Sequence, residues 1–180
     1  MSLNIYANIK SYSDGDKEVK LSISVNELSD KQIVELKHLK AKDVVNMVIE
    51  SADIDFKDEA DIETKEPKYH YYEGLDGHWK KEEVEQTALD IEGVPTYDKI
   101  SQTITSNVVD DFLITQQYDY PEDFEVKRAL YLISEGYEYD DVASQLQTTT
   151  GLIVSELNKA RQYFAPYAAA WKKLKDEASK

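Results

Sequence analysis

Cysteine is absent from the 180 residues, which removes disulfides, thiolate zinc sites and cysteine nucleophiles and suits a reducing compartment. Glycine numbers six and proline four, and neither an internal repeat nor a low-complexity tract is apparent. No apolar run approaches the roughly 20 residues that span a bilayer. The start, Met1-Ser2-Leu3-Asn4-Ile5, has no basic region followed by a long apolar stretch, so no secretory signal is expected and the expected setting is cytoplasmic. Positive charge is also in short supply. Lysine and arginine total 21 against 36 aspartates and glutamates, a net charge of −15.

What is present is enough to fold. Apolar residues make up 41% of the chain, too many for a disordered polymer and enough for a core. The acidity is uneven: residues 1–121 carry −13 of the net charge and residues 122–180 only −2. Such a front repels nucleic acid and anionic membranes and steers basic partners toward it.

The first pattern has period two. Ile5, Ala7 and Ile9, then Val19, Leu21, Ile23 and Val25, alternate with polar residues around Ser13-Asp14-Gly15-Asp16, which predicts a β-hairpin with one buried face. Ser29 is read as the N-cap of a helix through Lys42 bearing Ile33, Leu36 and Leu39. Asp43 to Ile49 then reads as a strand, and Ile54 and Phe56 extend it or begin another. The result is a β-β-α-β unit, a small sheet with one packed helix.

Between residues 50 and 66 acids crowd a stretch offset only by Lys57 and Lys65, expected to be a solvated strand edge running into a loop. An aromatic segment from Tyr69 to Trp79, broken by Gly74 and Gly77, suggests a short strand and a turn. Residues 81–91 are predicted helical through Val84, Ala88 and Ile91, and so are residues 97–117 through Ile100, Ile104, Val108 and Phe112. Tyr118-Asp119-Tyr120-Pro121 breaks the chain, and the domain boundary is placed there, giving an acidic α+β part (1–120) and a helical part (121–180).

From Pro121 onward the pattern is helical throughout. Pro121 suits the first turn of a helix over 122–135 bearing Phe124, Ala129, Leu130 and Ile133, ended by Gly136. A second helix carries Val142, Ala143 and Leu146; a third, capped by Thr149, carries Ile153, Leu157 and Ala160; a fourth follows Pro166 with Trp171 and Leu174.

The run Gly136-Tyr137-Glu138-Tyr139-Asp140-Asp141-Val142-Ala143, then Leu146, Ile153, Leu157 and Ala160-Arg161, resembles the helix-turn-helix superfamily, nearest to the variety in sigma-factor region 4. It covers about the last 50 residues. Gln147 stands at the turn position where the superfamily usually carries glycine, and Thr148 at the apolar position after it. The resemblance implies a C-terminal all-α helix-turn-helix bundle whose third helix enters a DNA major groove. Thr150, Gly151, Val154, Ser155 and Asn158 would form its reading face, with Lys159 and Arg161 near phosphates. Lys172, Lys173 and Lys175 would add backbone contacts.

The second expectation comes from charge. Thirteen tyrosines, several beside acids, supply amphipathic contact area. Acid plus tyrosine suits a surface imitating nucleic acid, occupying the basic channel of a nucleic-acid-binding enzyme. Asp53, Asp55, Asp58, Glu59, Asp61, Glu63, Tyr69, Tyr71 and Tyr72 would form it. In charge and size the chain is similar to compact acidic proteins of phages and mobile elements, including some anti-CRISPR proteins.

His70 and His78, with Glu73 and Asp76 between them, lack a recognisable ligand spacing, and the acids of 53–61 lack EF-hand placements. No serine-hydrolase elbow, phosphate loop or dinucleotide fingerprint occurs. No enzymatic activity, metal or cofactor is therefore expected. The reading is a small regulatory binding protein that contacts DNA, or alternatively a basic nucleic-acid-binding protein, through one of these two surfaces. The N-terminal part would dimerise or sense a partner.

Overall fold

In a computed structural model the described residues are 8–15, 18–24, 30–38, 51–62, 64–84 and 97–179. The chain is mixed α+β, with small sheets and several helices, one of them long and C-terminal. It divides into two compact units, Met1–Met47 and Val48–Lys180. The boundary expected at Pro121 falls inside the second unit.

In the first unit, β1 (Asn8–Gly15) and β2 (Glu18–Ser24) form an antiparallel hairpin with Tyr12 opposite Leu21 and Asp14 opposite Val19. The pairing persists one turn further than the alternation suggests. Ser13, Asp14 and Gly15 belong to β1 and not to the turn. Helix α1 (Asp30–His38) opens with an acid and closes with Lys37 and His38, matching its macrodipole. The strand expected over Asp43–Ile49 lies outside the described residues.

The second unit begins with β3 (Asp53–Asp61). Asp53, Asp55 and Lys57 are exposed and Ile54, Phe56 and Ala60 are buried, the alternation that pleating imposes. Asp61 ends the strand. Its Oδ1 accepts the Thr64 backbone N–H at 2.7 Å and hydroxyl at 3.2 Å, and its own N–H donates to the Glu66 carbonyl at 2.9 Å. The chain reverses into β4 (Tyr69–Glu73), tied back to β3 by the Lys68 N–H on the Glu59 carbonyl at 2.7 Å.

A tight turn, with the Gly77 N–H donating to the Gly74 carbonyl at 2.9 Å, leads into the antiparallel β5 (His78–Glu83). Gly77 has φ +77°, a region where a Cβ is strained and glycine is not.

β6 (Tyr97–Thr105) pairs antiparallel with β3 along its whole length, Asp53 opposite Thr105 and Asp61 opposite Tyr97. Helix α2 (Ser106–Thr115) follows without a break and buries Val109, Phe112 and Leu113. The two-residue β7 (Gln117–Tyr118) then adds parallel to β5.

Two helical expectations are corrected here. Lys81–Glu83 lie in β5, and residues 85–96 are outside the description. Residues 97–105 are strand, so the single helix over 97–117 is in fact strand followed by helix. The apolar positions 100, 104, 108 and 112 recur every fourth residue, a spacing compatible with period two as well as with period 3.6. The β-branched Ile100, Thr103, Ile104 and Thr105, with β3 available to pair, decide for strand.

Helix α3 (Val126–Ser134) starts four residues after the expected position. Its C-terminus is closed by Gly136 at φ +92°, where the Gly136 and Tyr137 N–H groups reach the Ile133 and Leu132 carbonyls at 3.0 and 3.1 Å. Helix α4 (Tyr139–Gln145) ends in the same way. The Gln147 and Thr148 N–H groups donate to the Ser144 and Ala143 carbonyls at 3.3 and 2.9 Å, with Gln147 at φ +54°. This is a Schellman closure in a position that prefers glycine.

Helix α5 (Thr150–Ala178) runs unbroken for 29 residues with Pro166 inside it, which corrects the expected separation of third and fourth helices. Proline removes one helical hydrogen bond and crowds the preceding turn. On either side of it Phe164, Ala165, Tyr167 and Ala168 are all buried in the core, so packing holds both halves on one axis.

The core of the unit is aromatic. Phe112 meets Trp79 at 5.4 Å and Tyr118, Phe164 and Trp171 each at 6.0 Å between ring centroids. Trp79 Nε1–H donates to Gln116 Oε1 at 3.3 Å, and the Tyr118 hydroxyl donates to the Leu113 carbonyl at 3.0 Å. Each polar edge is thereby satisfied.

Two outcomes are expected. Gln147→Gly should raise stability by about 0.5–1 kcal/mol, read as a higher urea midpoint, because glycine removes the left-handed strain. The second concerns alkali. Burial pushes the Tyr71, Tyr118 and Tyr167 hydroxyls upward from 10.0, Tyr167 to about 12. Unfolded tyrosines ionise as pH passes the ordinary value while the folded ones stay neutral, so stability should hold below it and fall above it. Urea midpoints followed by tryptophan fluorescence at about pH 8 and about pH 11 check this, and Tyr71→Phe should lessen the fall.

Candidate functional site

The corner between α4 and α5 is built from small and apolar side chains. Val142 and Ala143 from α4 and Ile153, Leu157 and Ala160 from α5 are buried. Thr149 caps α5, accepting the Leu152 N–H on Oγ1 at 3.3 Å. Thr150 Oγ1 donates to Asp140 Oδ1 at 2.5 Å, tying the start of α5 back to α4. Gly151, Leu152, Ser155, Asn158 and Lys159 are exposed along the outer side of α5, with Thr150 and Val154 half-buried. Most of the residues expected to read DNA therefore share one face.

Arg161 does not join them. It is 6% exposed, and its Nε and Nη2 donate to Asp110 Oδ1 and Oδ2 at 2.7 and 2.8 Å. Its placement near phosphates is corrected: it is an internal bridge from α5 to α2. The spacing explains why. Residue 161 lies one turn beyond Leu157 and one turn before Phe164 and Ala165, on the face directed at the core.

Lys159 remains outside, but its Nζ donates to Glu156 Oε1 at 2.7 Å. The Glu156 hydrogen bond, followed by its charge and then Glu122 and Tyr120, raises the lysine above its ordinary 10.5. Tyr120 is raised as well, first by burial and then by Glu156 and Glu122. Carboxylates of Asp140 and Glu156 border the face expected to meet DNA. Lys172 and Lys173 line a groove of about 400 Å³ beside Thr103–Thr105, about 25 Å further along α5 at ~1.5 Å per residue.

Of the nine residues of the second expected surface, the eight described do not form one face. Asp53 and Asp55 are exposed on the outer side of β3, with Asp55 accepting the Thr103 hydroxyl at 2.7 Å. Pleating turns Asp58 to the other side, where burial raises its pKa against the opposing Lys81. Glu59 pairs with Lys68 at 3.1 Å, and Asp61 is buried as the turn cap. Glu63 lies outside the described residues.

Tyr69 sits under the ammonium groups of Lys81 and Lys68, at 3.6 and 5.2 Å from its centroid. Tyr71 packs edge-on against Tyr167 at 4.7 Å, and Tyr72 stacks on His70 at 5.5 Å. Asp61 and Tyr71 are therefore structural, a correction with one cause: each side chain is already used inside the fold. His78 Nδ1 stands 3.6 Å from Asp119 Oδ1, well away in register from His70. Among the described residues no three metal-ligating side chains converge.

The sequence reading missed Asp110 and Tyr163. Tyr163 is 45% exposed and meets Tyr120 at 6.0 Å, ring planes at 70°. Its position seven residues after Glu156 on one helical face was the available signal.

No protein-family model matches the chain, and neither the curated proteins nor the solved structures include a match. Among the described residues no helix is long and apolar enough to cross a membrane.

Replacing Arg161 by Met removes the guanidinium from the Asp110 carboxylate and should cost about 3 kcal/mol in urea unfolding. Arg161→Lys should recover only part, because an ammonium cannot reproduce the two-pronged geometry.

Proposed function

We propose that this chain is a non-enzymatic regulatory binding protein. In this reading α4, the Gln147 turn and the first half of α5 are a helix-turn-helix unit used for protein contact, and its partner is a protein with a basic surface. One observation carries this: the two cations beside the expected reading face are taken by carboxylates, Arg161 by Asp110 and Lys159 by Glu156, and Lys172 and Lys173 line a separate groove beside Thr103–Thr105.

A duplex presents one negative charge per ~1.7 Å of axis, and binding it requires several cations to replace its counterions. Laid on α5, it would bring those phosphates toward Asp140 and Glu156. A basic protein meets the opposite field: a net charge of −15 speeds its approach, and the bordering carboxylates orient it. Nucleic-acid-binding proteins carry such surfaces.

The competing reading is DNA contact through the same unit. It is favoured by the capped start of α5 and the exposed, small and polar Gly151, Ser155 and Asn158. Fluorescence anisotropy of labelled mixed-sequence duplex, titrated with the full chain across a salt series, separates the two. The expected outcome is no binding at low salt. Binding that weakens linearly in log salt, and is weakened further by Lys159→Ala, would transfer the function to DNA.

A further inference from the structure

We infer that the outer side of α5 holds a receptor for a partner's arginine side chain, walled by Tyr120 and Tyr163 and floored by Glu156, with Lys159 as its resident stand-in. This deepens the protein-contact reading and rests on it.

Three observations meet at this place. Glu156, Lys159 and Tyr163 occupy positions three and seven residues apart on α5, one stripe of a helix. Glu156 is 8% exposed as a residue, so it is a carboxylate set into the protein and not a solvated one. Such a group needs a cation. The cation now beside it is Lys159, whose side chain is 59% exposed and whose Nζ lies 2.7 Å from Oε1.

The walls are aromatic. Tyr120 and Tyr163 meet at 6.0 Å and 70°. Tyr163 is backed by Phe164 at 4.8 Å and by Tyr167 at 6.1 Å, which hold the ring while leaving 45% of the residue exposed. Carboxylates beside aromatic faces favour guanidinium over ammonium, because guanidinium bonds a carboxylate through two prongs and stacks on a ring at once. Lysine makes only a point contact, and a flexible, largely exposed lysine is readily exchanged. The occupant is therefore an arginine-bearing segment of a basic protein. Lys159 leaves Glu156 when the guanidinium enters.

The test is a fluorescence-anisotropy titration of the full chain with labelled oligo-arginine and oligo-lysine peptides of equal length. The parent should prefer oligo-arginine. Glu156→Gln and Tyr163→Ala should each weaken oligo-arginine binding about three- to tenfold, and Tyr163→Ala should also erase the preference over oligo-lysine. Lys159→Met should tighten binding by removing the resident competitor.

Asp53→Asn changes the net charge as Glu156→Gln does, but on the outer side of β3, and should leave binding unchanged. Circular dichroism melts check that each variant is folded. Equal weakening by Asp53→Asn and Glu156→Gln, parent-like binding by Tyr163→Ala, or no parental binding would overturn the receptor. Those results leave the protein-contact reading to be judged by the duplex titration, whose positive outcome would overturn that reading whatever the peptides do.

Discussion

The ring of Phe112 is the point on which the second unit turns. Helix α2 follows β6 without a loop, so the direction of the strand fixes where Phe112 is delivered. Once delivered, it gathers Trp79 from β5, Tyr118 from β7 and Phe164 and Trp171 from α5. A side chain in contact with four other rings cannot shift without opening space among all of them, and interiors at near-crystalline density tolerate little of that. The same packing keeps α5 continuous through Pro166 and brings Arg161 against Asp110.

That internal use of charge shapes what is left for the surface. Arg161 is consumed inside the fold, Asp61 caps a turn, and Glu59 anchors Lys68. Fewer acids and bases face a partner than composition suggests. Those bordering α5 include a carboxylate set into the protein with a lysine over it. A desolvated charge holding a replaceable partner is a different object from a solvated acidic patch, because its demand for a cation persists where salt screens surface charge.

Some elements were legible from residue order. The N-terminal hairpin showed in its alternation, and α4 and the start of α5 showed in Val142, Ala143, Ile153 and Leu157. Gly136 marked the end of α3, as its φ of +92° requires. Others were not. Ile100, Ile104, Val108 and Phe112 fit two periods at once, and only the presence of β3 alongside selects strand for the first two. Pro166 is a breaker in isolation but a core position in a long helix. Gln147 looked like a departure from a glycine-bearing turn, yet it takes the positive φ itself.

Sequence by itself determined the quantities that are sums or local repeats: the net charge and its bias toward the front, the absence of thiol chemistry, the hairpin, and the helical character of the last third. These follow from composition and from neighbours a few residues apart. Tertiary structure decided which charges are spent and which are offered. Asp110 and Arg161 are 51 residues apart, and Tyr120 and Tyr163 are nearly as distant along the chain. Such pairings depend on where α2, the turn before α3 and α5 come to lie against one another. That is settled by burial of the Phe112 cluster, a collective term that no local pattern contains.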